Sequence, residues 1–181
     1  MVINQRMLGE KWTQVPVCLK NAKATETAAQ GCGALTTSTT RVKELKLKCL
    51  TYNVESISMD RLRQITDQMR RANYPISLLQ GTKWNFDGCL WSNGYKVYNA
   101  PAAKASMEAN AGVRVLLDQR LLHETRVTPN INLDHRIMTI RVHFPKFDIC
   151  VITAYSPGKH TPCTDRNKFW TCLTTTVQKL L

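Results

Sequence analysis

An α/β fold is predicted for this 181-residue chain by two features: strand-like and helix-like hydrophobic periods that succeed one another, and turn residues that separate them. In residues 45–53, Leu45, Leu47 and Cys49 alternate with Lys46 and Lys48. That is the period of two expected of a half-buried strand, and it ends on the polar Asn53. Between residues 59 and 71 the period lengthens: Met59, Leu62, Ile65 and Met69 share one arc of a helix, with Arg61, Arg63, Asp67, Arg70 and Arg71 outside it. Pro75 cannot continue that helix, and a short apolar run over residues 76–79 then ends at Gln80-Gly81. Strand, helix, strand is the opening unit, and both strand ends carry polar residues where α/β sheets place their chemistry.

The remaining elements follow in order. Residues 1–44 carry no sustained period and include Thr36-Thr37-Ser38-Thr39-Thr40, which predicts a flexible lead-in before a domain over residues 45–181. An organellar presequence is the other reading of this segment, opposed by Glu10, Glu26 and the scarcity of Arg. Residues 85–111 hold much of the aromatic content, and Tyr95-Lys96-Val97-Tyr98 reads as a strand introduced by the turn pair Asn93-Gly94. The cluster of Trp84, Phe86, Trp91, Tyr95 and Tyr98 suits core packing more than a base-stacking platform, which is the alternative use of aromatic residues among cations. Three more strands are predicted at residues 112–117, 136–142 and 147–154, the last buried on both faces because its run is almost wholly apolar. From Asp165, a candidate cap, Phe169, Leu173, Val177 and Leu180 mark a final helix.

Composition bounds the function. Twenty-five Lys and Arg against 13 Asp and Glu give a net charge of +12, which favours a polyanionic partner or else marks a merely basic surface. Seven cysteines, at 18, 32, 49, 89, 150, 163 and 172, contain no Cys-x-x-Cys pair. Zinc sites and disulfide frameworks are disfavoured, and Cys49 and Cys150 read as buried thiols of a reducing compartment. No run reaches the ~18 apolar residues of a membrane span, so a soluble intracellular protein is expected, with nucleus or cytoplasm left open.

Lys48-Cys49-Leu50-Thr51-Tyr52-Asn53-Val54 and Leu78-Leu79-Gln80-Gly81-Thr82-Lys83-Trp84, with the helix between them, resemble the start of an endonuclease/exonuclease/phosphatase domain, the metal-dependent phosphodiesterase superfamily. The endonucleases of non-LTR retrotransposon proteins are the most similar branch. A Gly-Val strand, an Arg-led strand and Thr153-Ala154-Tyr155-Ser156-Pro157 follow in the family's order. The resemblance implies a four-layer α/β sandwich of two mixed sheets flanked by helices, here in part. It also implies a Mg²⁺-dependent hydrolysis of DNA, and a following reverse transcriptase region. The family's later Asp-x-Asn and Asp-His motifs would fall beyond Leu181, so the expectation is an N-terminal portion with weak or no activity. A non-catalytic nucleic-acid-binding remnant and a relic without function are the alternatives.

Residue by residue, the resemblance implies that Asn53 and Tyr155 hold phosphate and that Lys83 and Arg136 supply charge to nucleic acid. Gly81 stands where the family carries its metal-binding Glu, so no metal ligand is assigned. Glu55 is the nearby carboxylate that could substitute. Without the motif, Asn53 reads as a turn residue, Tyr155 as a core-edge side chain, and Lys83 and Arg136 as surface cations. His123, His135, His143 and His160 read as exposed or packing residues. No Ser-His-Asp triad, Gly-rich phosphate loop or Asp-rich metal loop is evident.

Overall fold

The computed structural model describes residues 13–17, 47–84, 86, 88–100, 112–123, 125–131, 136–145 and 147–180. Strand β1 (Thr13–Val17) precedes the predicted unit of β2 (Leu47–Asn53), α1 (Met59–Arg71) and β3 (Ile76–Gln80). β2 and β3 pair in parallel, from Cys49 opposite Ile76 to Asn53 opposite Gln80. α1 begins where Ser58, in extended backbone, accepts a hydrogen bond from the Arg61 N–H through its Oγ at 3.1 Å. It ends at Asn73, whose left-handed φ of 56° lets its own N–H and that of Tyr74 close on the carbonyls of Arg70 and Met69. Leu62, Ile65, Thr66 and Met69 form its buried face, while Met59 sits at the exposed margin of the predicted arc.

β4 (Gly88–Ser92) and β5 (Tyr95–Ala100) form a hairpin across Asn93-Gly94. Both turn residues are left-handed, with φ of 45° and 82°, as a two-residue turn of primed type requires. β6 (Val113–Asp118) runs into the one-turn helix α2 (Gln119–Leu122), and β7 (Arg126–Ile131), β8 (Ile137–His143), β9 (Asp148–Ala154) and α3 (Cys163–Gln178) complete the described elements. The first sheet has the order β1-β2-β3-β6-β5-β4 and is mixed; the second, β7-β8-β9, is antiparallel in its described strands. The expected α/β sandwich is therefore present. α1 packs on one face of the first sheet around Leu50, Leu62, Met69 and Leu79, and the second sheet packs on the other around Ile76, Val115, Met138 and Ile140.

Several expectations change. The three predicted strands are present and divide between the sheets, β6 in the first and β8 and β9 in the second. β7 escapes a pattern reading because Pro129 interrupts it, and an edge position makes that proline tolerable. β9 is not buried on both faces: as an edge strand of the second sheet it keeps Cys150, Val151 and Ile152 only half-buried. Cys49 is a buried thiol as expected, and burial raises its pKa to about 12, but Cys150 is half-buried and Cys89 and Cys163 are exposed. Cys18 and Cys32 lie outside the described residues. Within the expected lead-in, Thr13–Val17 pairs antiparallel with β2; the rest of residues 1–44 lies outside the described residues. α3 starts at Cys163 after Pro162, so Asp165 is not the cap but a first-turn acid paired with Lys168 at 3.2 Å. Tyr95 and Tyr98 pack in the core as expected, but Phe86 and Trp91 do not: they are 46% and 58% exposed.

Of the charged residues buried among those described, Arg114, Asp118 and Arg136, the first is fully enclosed. Arg114 on β6, opposite Leu79 on one side and Asn99 on the other, is fully buried. Its Nε donates to Asn99 Oδ1 at 2.6 Å, and its guanidinium lies 3.8 Å from the centre of the Trp84 ring. Neither terminal nitrogen, nor Asn99 Nδ2, has a hydrogen-bond acceptor. Burial lowers the Arg114 pKa to about 9, so at neutral pH the charge persists without a counter-ion among the described residues.

Replacing both partners should therefore relieve the fold where replacing one harms it. Arg114→Met with Asn99→Leu is expected to be about 1–4 kcal/mol more stable than the parent at pH 7, and Asn99→Leu alone about 1.5–3 kcal/mol less stable. Urea denaturation measures both. The folded-state pKa is depressed from 12.5 to about 9, so the burial penalty is complete below pH 9 and fades as pH rises above it. The advantage of the double variant should shrink over that range.

Candidate functional site

Because β2 and β3 are parallel, their carboxyl ends open on the same edge of the sheet. There the Val54 N–H donates to the Gln80 carbonyl at 2.9 Å, carrying the ladder one bond past Asn53. Asn53 is exposed, and its Oδ1 accepts from the Glu55 N–H at 3.3 Å. That bond fixes the amide within a turn in which Glu55 itself is left-handed, with φ of 55°. The Asx-turn and the site reading of Asn53 are thus compatible.

Gly81 follows with φ of 65° and no exposed surface to speak of. A Cβ at this position would stand 2.6 Å from Asn53 Oδ1 and 3.5 Å from Tyr155 Cε2. Asn53, Gly81 and Tyr155, drawn from the ends of β2, β3 and β9, therefore meet at one point. Gln80 ties the same three strands together: its Nε2 donates to Thr51 Oγ1 at 3.1 Å and to Thr153 Oγ1 at 3.2 Å. Sequence reading did not assign Gln80 or Thr153 to the site, although Gln80 lies inside the motif that pointed there.

Arg136 is not the surface cation expected. It is 8% exposed at the start of β8, where its carbonyl accepts from the Tyr155 N–H at 2.8 Å and its Nη1 donates to the Tyr155 carbonyl at 3.4 Å. Its guanidinium lies 5.9 Å from the Tyr155 ring, and burial lowers its pKa. The charge stands behind the tyrosine. Lys83 lies on the exposed bend after Gly81, with φ of 50°. Trp84, stacked on Arg114, and the Thr82 N–H, bonded to the Gly112 carbonyl at 3.2 Å, hold that bend from both sides.

The histidines stand elsewhere. His143 Nδ1 lies 3.0 Å from Asp148 Oδ1 as a cross-strand pair, but six residue steps, ~20 Å, along the ladder from the Ala154 end. His123 and His160 are exposed, and His135 lies outside the described residues. Among the described residues no three His, Cys, Asp or Glu side chains gather as a metal site. Mg²⁺ takes oxygen ligands with at least one carboxylate as a rule, and the strand end that would offer it carries Gly81. Glu55 is exposed on the turn beside Asn53. The residues present do not fit the ion that the resemblance implies.

Gly81→Glu is consequently expected to fail as a simple restoration. A side chain at φ of 65° is strained, and it must push the Asn53 amide off its Glu55 N–H. Thermal or urea denaturation should show about 1–3 kcal/mol lost in Gly81→Glu and a comparable loss in Gly81→Ala, since backbone conformation sets the cost.

No family model matches the sequence, and no curated protein matches it. Among solved structures the chain is similar to the endonuclease domain of TRAS1, a telomere-specific non-LTR retrotransposon, with a TM-score of 0.48 and 12% identity. The match covers 70% of this chain and 53% of that one, so this chain spans about half the length of the structure it matches.

Proposed function

We propose that this is a nuclease-type α/β domain of retroelement descent that holds a nucleic-acid phosphate between Asn53 and Tyr155 and does not hydrolyse it with the residues described. One observation carries the reading: the two side chains converge on Gly81 from separate strand ends, with room for them because no Cβ intervenes. Asn53 Oδ1 is occupied by the Glu55 N–H, which leaves the Nδ2 amide to donate to a phosphate oxygen. The Tyr155 hydroxyl donates a second bond, and the Arg136 guanidinium behind it adds positive potential while its backbone fixes the tyrosine's approach. Lys83, on the exposed bend, adds a salt-dependent contact. The net charge of +12 suits DNA as the partner.

Hydrolysis needs an activated water and a cation to take up charge developing on the phosphate. Magnesium would supply that cation in the family the motifs resemble. Here Gly81 contributes no ligand, so positioning is assigned to the site and bond cleavage is not.

Binding of duplex DNA should weaken steeply with salt, log K falling linearly with log[salt]. Lys83→Ala should lower the magnitude of that slope by about 1. Asn53→Ala, which removes a neutral donor, should cost roughly two- to ten-fold in affinity with the slope preserved. Fluorescence anisotropy across a salt series measures all three. Absence of binding at low salt would remove the reading, and cleavage of supercoiled plasmid in Mg²⁺ that Asn53→Ala abolishes would replace it with an enzymatic one.

A further inference from the structure

The six-stranded sheet is wider than the sheet that covers it. Inter-sheet packing joins β8 and β9 to β3 and β6, and it covers Tyr98 on β5 but leaves Cys89 and Trp91 on the inner face of β4 exposed at its margin. On that face Trp91 stands opposite Lys96, and Cys89 opposite Tyr98. Tyr98 is packed into the core, and Lys96 Nζ lies 5.3 Å from its ring centre. Trp91 is 58% exposed, the most exposed of the large hydrophobic side chains described. A depression of about 410 Å³ opens between the hairpin and the segment after β6, walled by Trp91, Lys96, Tyr98, Gln119, His123 and Thr125.

The geometry points to a binding site for one unpaired nucleotide of a nucleic acid, its base stacked on the Trp91 indole and its phosphate met by Lys96. Two features of the depression select this occupant, and the charge agrees with them. An exposed indole offers a flat face that any base can stack on. Gln119, His123 and Thr125 supply both donors and acceptors at the rim, as the edge of a base requires. Lys96 lines the depression, and the whole chain carries +12, which favours a polyanion here.

This site rests on the nucleic-acid reading above but uses none of its residues. Trp91, Lys96, Leu117 and Ile76 share one register line, and Asn53, Gln80, Val113 and Ala100 another, four residue steps away. That is ~13 Å along the strands, with ~19 Å across them from β2 to β4. The first site grips a backbone phosphate of either strand form, whereas the second admits a base only when it is unstacked.

The test uses the full chain with a labelled oligothymidylate and a labelled duplex, titrated at one low ionic strength. Trp91→Ala should weaken oligothymidylate binding about ten-fold, leave duplex affinity within about two-fold, and keep the parent's melting temperature because the side chain is exposed. Trp91→Phe, which retains a stacking face, should recover most of the loss. Asn53→Ala should weaken both probes. If Trp91→Ala binds oligothymidylate as the parent does while duplex binding persists, the pocket assignment is overturned and the phosphate site stands. If neither probe binds the parent, both readings fall. If Trp91→Ala abolishes self-association in sedimentation without changing oligothymidylate affinity, the face is a protein contact and the nucleotide assignment is wrong.

Discussion

Two parallel strands in register, from Cys49 beside Ile76 to Asn53 beside Gln80, bring distant parts of this chain to one edge. A parallel pair needs a crossover, and α1 supplies it, capped by Ser58 at its start and closed by Asn73 at its end. Without that crossover Asn53 and Gly81 would not share an edge. Tyr155 arrives from the second sheet and needs a separate link, which the Gln80 amide provides by bonding Thr51 on β2 and Thr153 on β9. A single side chain therefore relays the register of the first sheet to the second. Half-buried and bonded on both sides, it is better placed to do so than an apolar contact, which would fix distance but not direction.

The two sheets differ in width, and the difference sorts their surfaces. Where they overlap, Ile76, Val115, Met138 and Ile140 exclude water and make the interior continuous. At the margin of that overlap, the inner face of β4 and β5 keeps a core-like tyrosine next to an exposed tryptophan. Residues whose alternation is the same thus end in opposite environments, decided by what lies across from them and not by their own period.

That is also the limit of what could be read from sequence. The strand–helix–strand unit was legible because alternation, helical arc and Pro75 each pointed to the same boundaries, and α1 spans the predicted residues. The Asn93-Gly94 hairpin was legible because two successive left-handed residues have few other uses. The meeting of Asn53 and Tyr155 followed only from motif order. Period says nothing about which strands become neighbours, so the division of β6 from β8 and β9 between two sheets is not legible from it. Nor does it say whether an apolar run is central or at an edge, which is why β9 seemed doubly buried. Trp91 and Arg136 were misjudged for a related reason: composition expects the aromatic inside and the cation outside, and the tertiary arrangement reverses both. Arg114 carried a signal of its own, a charged residue in the middle of an otherwise apolar strand.

Two of the four non-glycine residues at positive φ among those described flank the candidate site. Glu55, Gly81 and Lys83 all hold positive φ within the two short segments that follow β2 and β3. For Glu55 and Lys83, which carry a Cβ, a left-handed conformation costs about 1–2 kcal/mol each. Such conformations persist only where neighbouring contacts over-determine them. For Glu55 the contact is its N–H on Asn53 Oδ1; for Lys83 it is the clamp of Thr82 on Gly112 and of Trp84 on the Arg114 guanidinium. The buried charge of Arg114, costly by itself, thus anchors the bend that presents Lys83. Gly81 lies between these two strained turns, and with no side chain there Asn53 Oδ1 and the Tyr155 ring edge close on the same point. On the function proposed above, that space is suited to holding an anion that is already formed, more than to neutralising charge as it develops.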